Sequence, residues 1–471
     1  MDDMEFQPSI NLKRSFWFEQ AEPFFKEPSG LKETHHTDIA IIGGGFVGLW
    51  TALNIKEKNP HTRVTILEKD VCGGGASGRN GGMAMSWWPK IGTLLSFCSK
   101  EQALFLAQNS EQAVYDLGEF CTKHGIEAEF RMDGWLWTAT TPKHIDSWSA
   151  TLKACEKLGV KPFEYINPEY VSQRAGSKIH LAGVFEKSNA TLQPAILARG
   201  LRNVALKLGV EIFEQTPVEF FEQKNDLYIK TPQAEVFAQK LVLATNAWSS
   251  SIPELAQMIT PVNSAIVVTD NVEKELNQMG LVDGVGITDC QLMVDYYRTT
   301  LSKRLVFGKG TGALSYGSHI TEIFSEHSQS IDLTIKDLKR TYPLLANTPI
   351  THYWSGPIDR TYDSLPIFGH LKDFKNVIYG IGWSGNGVSP SQIGGKILAS
   401  LALDISDEWS TCALVNRKVK KFPPEPFRYI GGNMVRNAVI RKEKLEIIGQ
   451  EPHKLDVLLA KLAPAGLEDK S

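Results

Sequence analysis

Cysteine is scarce: six residues in a chain of 471, at Cys72, Cys98, Cys121, Cys155, Cys290 and Cys412. None stands in a C-x-x-C pair, and none shares a metal-like spacing with the eleven histidines. This excludes a disulfide framework and a zinc-type centre, so no metal is expected. Buried free thiols in a reducing compartment are the expectation that remains. Long apolar runs are missing too. No stretch approaches the ~20 residues that cross a bilayer, so no transmembrane segment is expected. The opening MDDMEFQPSINLKR has no apolar signal core, which leaves a cytoplasmic location as the default. Charge of one sign is absent as well. The chain carries 50 Lys and Arg against 53 Asp and Glu, a net charge of −3, and offers no electrostatic case for nucleic acid. With 42% hydrophobic and 10% aromatic residues it has the composition of a packed globular protein, and its length implies more than one domain.

What is present is glycine in the right places. Asp38 to Ile42 is a β-branched, nearly unbroken apolar run, the pattern of a strand buried on both faces. It runs into Gly43-Gly44-Gly45-Phe46-Val47-Gly48, a G-x-G-x-x-G, and then into a helical pattern through Ala52, Leu53 and Ile55. Gly43 permits the tight turn, Gly45 lets backbone approach a pyrophosphate, and Gly48 lets helix pack closely on strand. Free N–H groups at the helix start, at Phe46 and Val47, face the phosphates. A second apolar run, Val64 to Leu67, ends on Glu68 and Lys69. An acid at that strand end can accept hydrogen bonds from ribose hydroxyls. Strand, glycine turn, helix, strand and acid together predict a βαβ dinucleotide site.

The fingerprint alone does not separate NAD from FAD. The next stretch does: Gly73 to Gly82 is a second small-residue loop, containing Gly75, Ala76, Ser77, Arg79, Asn80, Gly81 and Gly82, with Met83 after it. A flavin ring must lie against bare backbone, and a nicotinamide enzyme has no evident need for such a loop here. Much later, Val377 to Tyr379 reads as a strand, Gly380 to Pro390 as a glycine-rich loop, and Ser391 to Leu403 as a helix. This third segment repeats the physics of the first. It contains Gly382, Gly385, Asn386, Gly387 and Val388.

Between these segments, Gln102 to His124 carries an apolar stripe at helical period, and Pro142 to Leu158 reads as another helix. Trp135 and Trp137 alternate as in a strand and, with Trp87 and Trp88, are candidates for core or for a cavity wall. Gln193-Pro194 opens a helix stopped by Gly209, followed by the strand Val210 to Phe213. Alternating strands and the helix Ile331 to Tyr342 fill residues 262–351. An aromatic N-terminal arm (Phe16-Trp17-Phe18, Phe24-Phe25, with Pro23 and Pro28) is expected to pin onto the body. The C-terminal stretch is basic in its first half and predicts a helix over 434–448 packed across the body.

The loop GASGRNGG resembles that of the FAD-dependent amine oxidase family related to D-amino acid, glycine and sarcosine oxidases, and most of all its γ-glutamylputrescine oxidase-like branch. The resemblance implies an α/β fold: a Rossmann-like FAD domain of the glutathione reductase type, interleaved with an α+β substrate domain on a mostly antiparallel sheet. It suggests an arm at 1–36, an FAD domain at 37–95, 185–262 and 352–405, a substrate domain at 96–184 and 263–351, and a C-terminal helical extension at 406–471. It places Val218 against adenine, and it matches Ala244, Thr245, Asn246 and Trp248 to the family's second dinucleotide-side motif. It aims the helix after Gly380–Pro390 at the flavin edge where reduction builds negative charge, and it implies Gly382, Gly385, Asn386, Gly387 and Val388 as cofactor contacts.

The activity so implied is oxidation of the C–N bond of a small amine or amino acid to an imine. Water then gives an aldehyde or keto product plus ammonia or an amine, and O2 becomes H2O2. Arg298 and Arg360 are candidates for an anionic group on the substrate, carboxylate or phosphonate. Trp354, Asp359 and Ser384 are cavity candidates. Sarcosine oxidases hold flavin through a cysteine near the stretch matching Trp354 to Arg360; none lies there, so FAD is expected to be non-covalent. Those oxidases also carry an oxygen-activating lysine on a substrate-domain strand. Val306 matches it, with Lys309 nearby as the substitute candidate. An FAD-dependent dehydrogenase serving another acceptor, and a non-catalytic nucleotide-binding protein, are the alternatives. A homo-oligomer is compatible with the sequence.

Overall fold

The computed structural model describes residues 4–7, 12–21, 30–223 and 225–466. Phe24, Phe25, Pro23 and Pro28 of the expected aromatic arm lie outside the described residues. Two large sheets organise the rest. The first has nine strands and a parallel centre. His35–Ile42 pairs in parallel with Val64–Leu67 on one side and with Glu235–Leu243 on the other. Glu211–Phe213 and Phe374–Ile381 extend the parallel set outward. The run Asp38 to Ile42 is apolar on both faces because both faces are covered. Ile39 and Ile41 pack with Leu49, Leu53 and Ile397 of the flanking helices, whereas Ala40 and Ile42 pack with Phe221, Leu227 and Ile229 of an antiparallel meander.

The second sheet has eight strands, in the order Ile350–Arg360, Thr260–Thr269, Leu305–Lys309, Asp295–Thr299, Gly286–Asp289, Trp135–Ala139, Ala182–Glu186, Glu164–Ile166. Neighbours are antiparallel except Gly286–Asp289 against Trp135–Ala139. The helix Ser328–Thr341 packs Ile331 and Leu338 against Ala265, Val267 and Phe307 of this sheet. Ile350–Arg360 pairs along its length with Thr260–Thr269. Residues 352–360, expected with the dinucleotide domain, are therefore a strand of the second sheet. The stretch 142–158 is not one helix: a short turn at Pro142–His144 and the helix Ser149–Lys157 are separated by Asp146, whose φ of +66° a helix does not accept.

Trp87, Trp88, Trp135 and Trp137 are buried together with Trp148, and the Trp135 and Trp137 rings stack at 5.6 Å. They form core. The C-terminal extension is a long helix, Phe427–Ile447, with a shorter one, Lys454–Ala460. Among the described residues no helix is long and apolar enough to cross a membrane.

Candidate functional site

One cavity, about 300 Å³, takes its walls from both sheets. The βαβ turn forms one end. Gly43 sits at φ +109°, a backbone that side chains resist, and its N–H donates to the Leu67 carbonyl at 2.9 Å. Gly48 does not line the cavity. A Cβ there would lie 2.0 Å from the Gly43 carbonyl oxygen, so its absence lets the helix Phe46–Lys58 rest on the turn. Gly43, Gly45, Phe46 and Val47 do line it. The Phe46 N–H donates to the Ser77 hydroxyl at 2.8 Å, which brings the first two glycine-rich segments into contact.

Glu68 and Lys69 follow along the same wall. The Glu68 carboxylate accepts from the N–H groups of Gly44 (2.7 Å) and Asp70 (2.9 Å), while burial raises its pKa. Lys69 Nζ lies 3.6 Å from the centre of the Trp248 ring, and burial lowers its pKa to about 8. Neither Lys69 Nζ nor Trp248 Nε1 has a hydrogen-bond partner among the described residues, although both are buried and both residues line the cavity. Buried donors without partners mark a place built to face something else. Val218, Ala244, Thr245 and Asn246 complete this end. Bare glycine backbone, a helix start, a carboxylate and unpaired donors fit an adenine dinucleotide.

The second glycine segment continues the wall through Gly75, Ala76, Ser77, Arg79, Asn80, Gly81 and Met83. Asn80 holds the loop shut: its amide donates to the carbonyls of Ala76 and Ser77, and its side-chain oxygen accepts from the Gly82 N–H at 2.7 Å. Gly82 is behind the wall, because a Cβ there would strike the Leu192 carbonyl oxygen (2.2 Å) and Arg298 Nη2 (2.5 Å).

Three expected side chains are elsewhere. Arg298 is buried behind the loop, donating to the carbonyls of Gly81 (2.9 Å), Leu192 (2.6 Å) and Thr299 (3.1 Å), with its guanidinium 4.7 Å from the Trp17 ring centre. Each of its three nitrogens is held by a backbone carbonyl and it does not line the cavity, so it is no substrate anion partner. Trp354 is buried too and donates Nε1–H to the Arg79 carbonyl at 2.8 Å. Lys309 pairs with Asp295 at 3.0 Å and Asp337 at 2.8 Å. The reason is strand alternation: Lys309 stands opposite Asp295 in register, on the face away from Tyr296, which lines the cavity.

The third glycine segment closes the opposite end with Ser384, Gly385, Asn386, Gly387 and Val388. Gly382 lies behind them. Its N–H donates to Asp359 Oδ2 at 2.6 Å, and a Cβ would lie 2.3 Å from the Thr361 methyl. Asp359 lines the cavity, is fully buried, and has no hydrogen-bond partner at Oδ1 among the described residues; burial raises its pKa to about 7, against the opposing backbone N–H groups of Gly382, Trp383 and Ser384. Arg360 lines it as well. It donates to the Ala465 carbonyl at 2.5 Å and the Ser364 hydroxyl at 3.2 Å, and burial lowers its pKa to about 10. Ser264 and Tyr296, whose hydroxyls are 2.8 Å apart, join from the second sheet. Trp383 lines the cavity from inside the third glycine loop, whereas Thr288 and Gly466 line it and carry no motif by which sequence could single them out. Among the described residues the lining includes no cysteine and no histidine.

Comparison with known proteins agrees with this architecture. The family described as DAO, FAD dependent oxidoreductase, matches residues 38–401. The chain is 30% identical to a probable oxidoreductase OrdL of Haemophilus influenzae, over 83% of this chain and 88% of that one. It is 25% identical to the gamma-glutamylputrescine oxidoreductase of Escherichia coli, over 79% of this chain and 84% of that one. The crystal structure of glycine oxidase from Geobacillus kaustophilus superposes with a TM-score of 0.64 at 19% identity, covering 79% of this chain and 96% of its own. FAD is the cofactor, and the chain belongs to the DAO family of FAD dependent oxidoreductases.

Proposed function

We propose that the protein oxidises the C–N bond of a small amine or amino acid to an imine, which water converts to an aldehyde or keto product and ammonia or an amine. The observation that carries this is Asp359: a fully buried carboxyl group in the cavity wall, with one oxygen held by Gly382 and the other without a partner among the described residues. Such an acceptor suits the N–H groups of an amine. Bound FAD would supply the hydride acceptor. The chain's own residues do the rest. The three glycine segments hold the cofactor, Asp359 orients the amine nitrogen and takes up its proton, and Arg360 reaches an anionic group where the substrate has one. Relatives named for gamma-glutamylputrescine and for glycine support a substrate with an amine. FAD would be held without a covalent bond, since no thiol or imidazole lines the site among the described residues.

Oxygen is the proposed final acceptor, yielding hydrogen peroxide. A dehydrogenase is the second reading, favoured by Lys309: the cation expected beside the flavin is ion-paired on the far face of its sheet. One experiment separates them. The purified yellow protein is mixed anaerobically with a panel of amines and amino acids, and flavin bleaching is followed before an oxygen pulse. Bleaching with rapid recovery and peroxide supports the oxidase; recovery only with a dye acceptor supports the dehydrogenase. A flavin that no amine bleaches ends the proposal.

A further inference from the structure

The family match stops at residue 401, yet residues beyond it reach the cavity. Two side chains of the helix Phe427–Ile447 hold loops that flank strands of the second sheet. Glu443, buried, accepts from the N–H groups of Leu292 (2.6 Å) and Met293 (3.2 Å), and Arg436 donates to the Thr311 carbonyl at 2.9 Å. Apolar packing reinforces them, with Met293 set against Val439 and Ala460. The loop held by Glu443 presents Leu292 and Val294 to the cavity, and Gly310 lines it beside Thr311. Further on, the chain returns to the site itself. Ala465 is buried, its N–H donates to the Tyr362 carbonyl at 2.9 Å, and its carbonyl accepts from Arg360 (2.5 Å) and from the Ser364 hydroxyl (2.6 Å). Gly466 then lines the cavity.

We propose that residues 427–466 are a wall of the substrate cavity and set the size of the amine admitted, by fixing the loop that carries Leu292 and Val294 and by laying Gly466 beside Arg360. This rests on the functional reading above. The wall is bare at Gly466, where a Cβ would meet no heavy atom of the described residues within 4 Å. A larger side chain there displaces none of them, so it tests the wall directly. The segment acts by position: Glu443 touches no reacting atom, and its carboxylate sets where two backbone amides stand.

The test pairs Gly466→Phe with Glu443→Ala and Glu443→Gln in the full-length, FAD-loaded protein. Gly466→Phe should keep its FAD content and melting temperature. Across amines of increasing bulk, the ratio of its kcat/KM for the largest to that for the smallest should fall by about tenfold or more relative to wild type, mostly through KM. An equal fall for all sizes, or none, overturns the proposal. Amide exchange gives a second readout that needs no substrate. Leu292 and Met293 should exchange faster in Glu443→Ala, whereas Glu443→Gln, which keeps an acceptor oxygen, should restore protection. Unchanged exchange in Glu443→Ala overturns the wall. A wild-type flavin bleached by no amine, with exchange responding as expected, overturns the amine reading alone.

Discussion

At the scale of single residues, chemistry was legible and partners were not. A guanidinium seeks planar oxygen acceptors, and Arg298 and Arg360 both find them. For Arg298 the acceptors are the carbonyls of Gly81, Leu192 and Thr299, two of them from distant parts of the chain, so no local pattern announced that it braces the flavin loop. Asp359 and Arg360 are neighbours in sequence with opposite electrical demands, and both line the cavity. Asp359 yields a prediction with a sign. Burial raises its pKa to about 7, so below that pH it holds a proton and accepts poorly from an amine. The kcat/KM for an amine should therefore climb as pH rises through about 7, and Asp359→Asn should remove that limb while leaving FAD bound. Stability runs the other way. The unfolded chain releases this proton near the ordinary carboxyl value and the folded chain keeps it to about 7, so stability falls across that interval and is flat above it. An unaltered acid limb in Asp359→Asn would assign the titration to another group.

At the scale of elements, the βαβ turn was readable because one local stretch carries all of its constraints. Buried strand, glycine turn, helix and acidic strand end follow one another within residues 38–68, and each has a single physical reason. The third glycine loop and the helix Ser391–Ala402 were readable for the same reason. Strand affiliation was not. Ile350–Arg360 alternates as any half-buried strand does, and only its pairing with Thr260–Thr269 assigns it to the second sheet. The facing of Lys309 failed similarly, since a one-residue change of phase moves a side chain to the other side of a sheet. Gly48 allows the sharpest test at this scale. A methyl group there meets the Gly43 carbonyl at 2.0 Å, closer than any relaxation of a side chain can relieve, because both sides of the contact are backbone. Gly48→Ala should push helix from strand and empty the cofactor site. The purified variant should be colourless, with a lowered melting temperature that added FAD does not raise; a yellow variant of normal stability would show that the close approach is dispensable.

At the scale of the whole molecule, the chain crosses repeatedly between two sheets, and the cavity takes its walls from both. That arrangement decides how FAD can be attached. A covalent link needs a nucleophile within reach of the flavin, and a thiol must ionise to serve. The lining supplies no thiol and no imidazole among the described residues. The cysteine next to the glycine loops, Cys72, is buried behind Gly44, where a Cβ on that glycine would lie 2.6 Å from its sulfur. Burial, joined by the carboxylates of Glu214 and Glu68, holds its pKa well above the ordinary thiol value. It therefore stays protonated and faces the core. Acid precipitation should release all of the yellow colour into the supernatant, where the absorbance of free FAD accounts for the cofactor bound before treatment. Colour that remains with the pellet, and with a flavin-bearing peptide after digestion, would assign the attachment to a nucleophile other than a thiol or an imidazole, such as the Tyr296 hydroxyl.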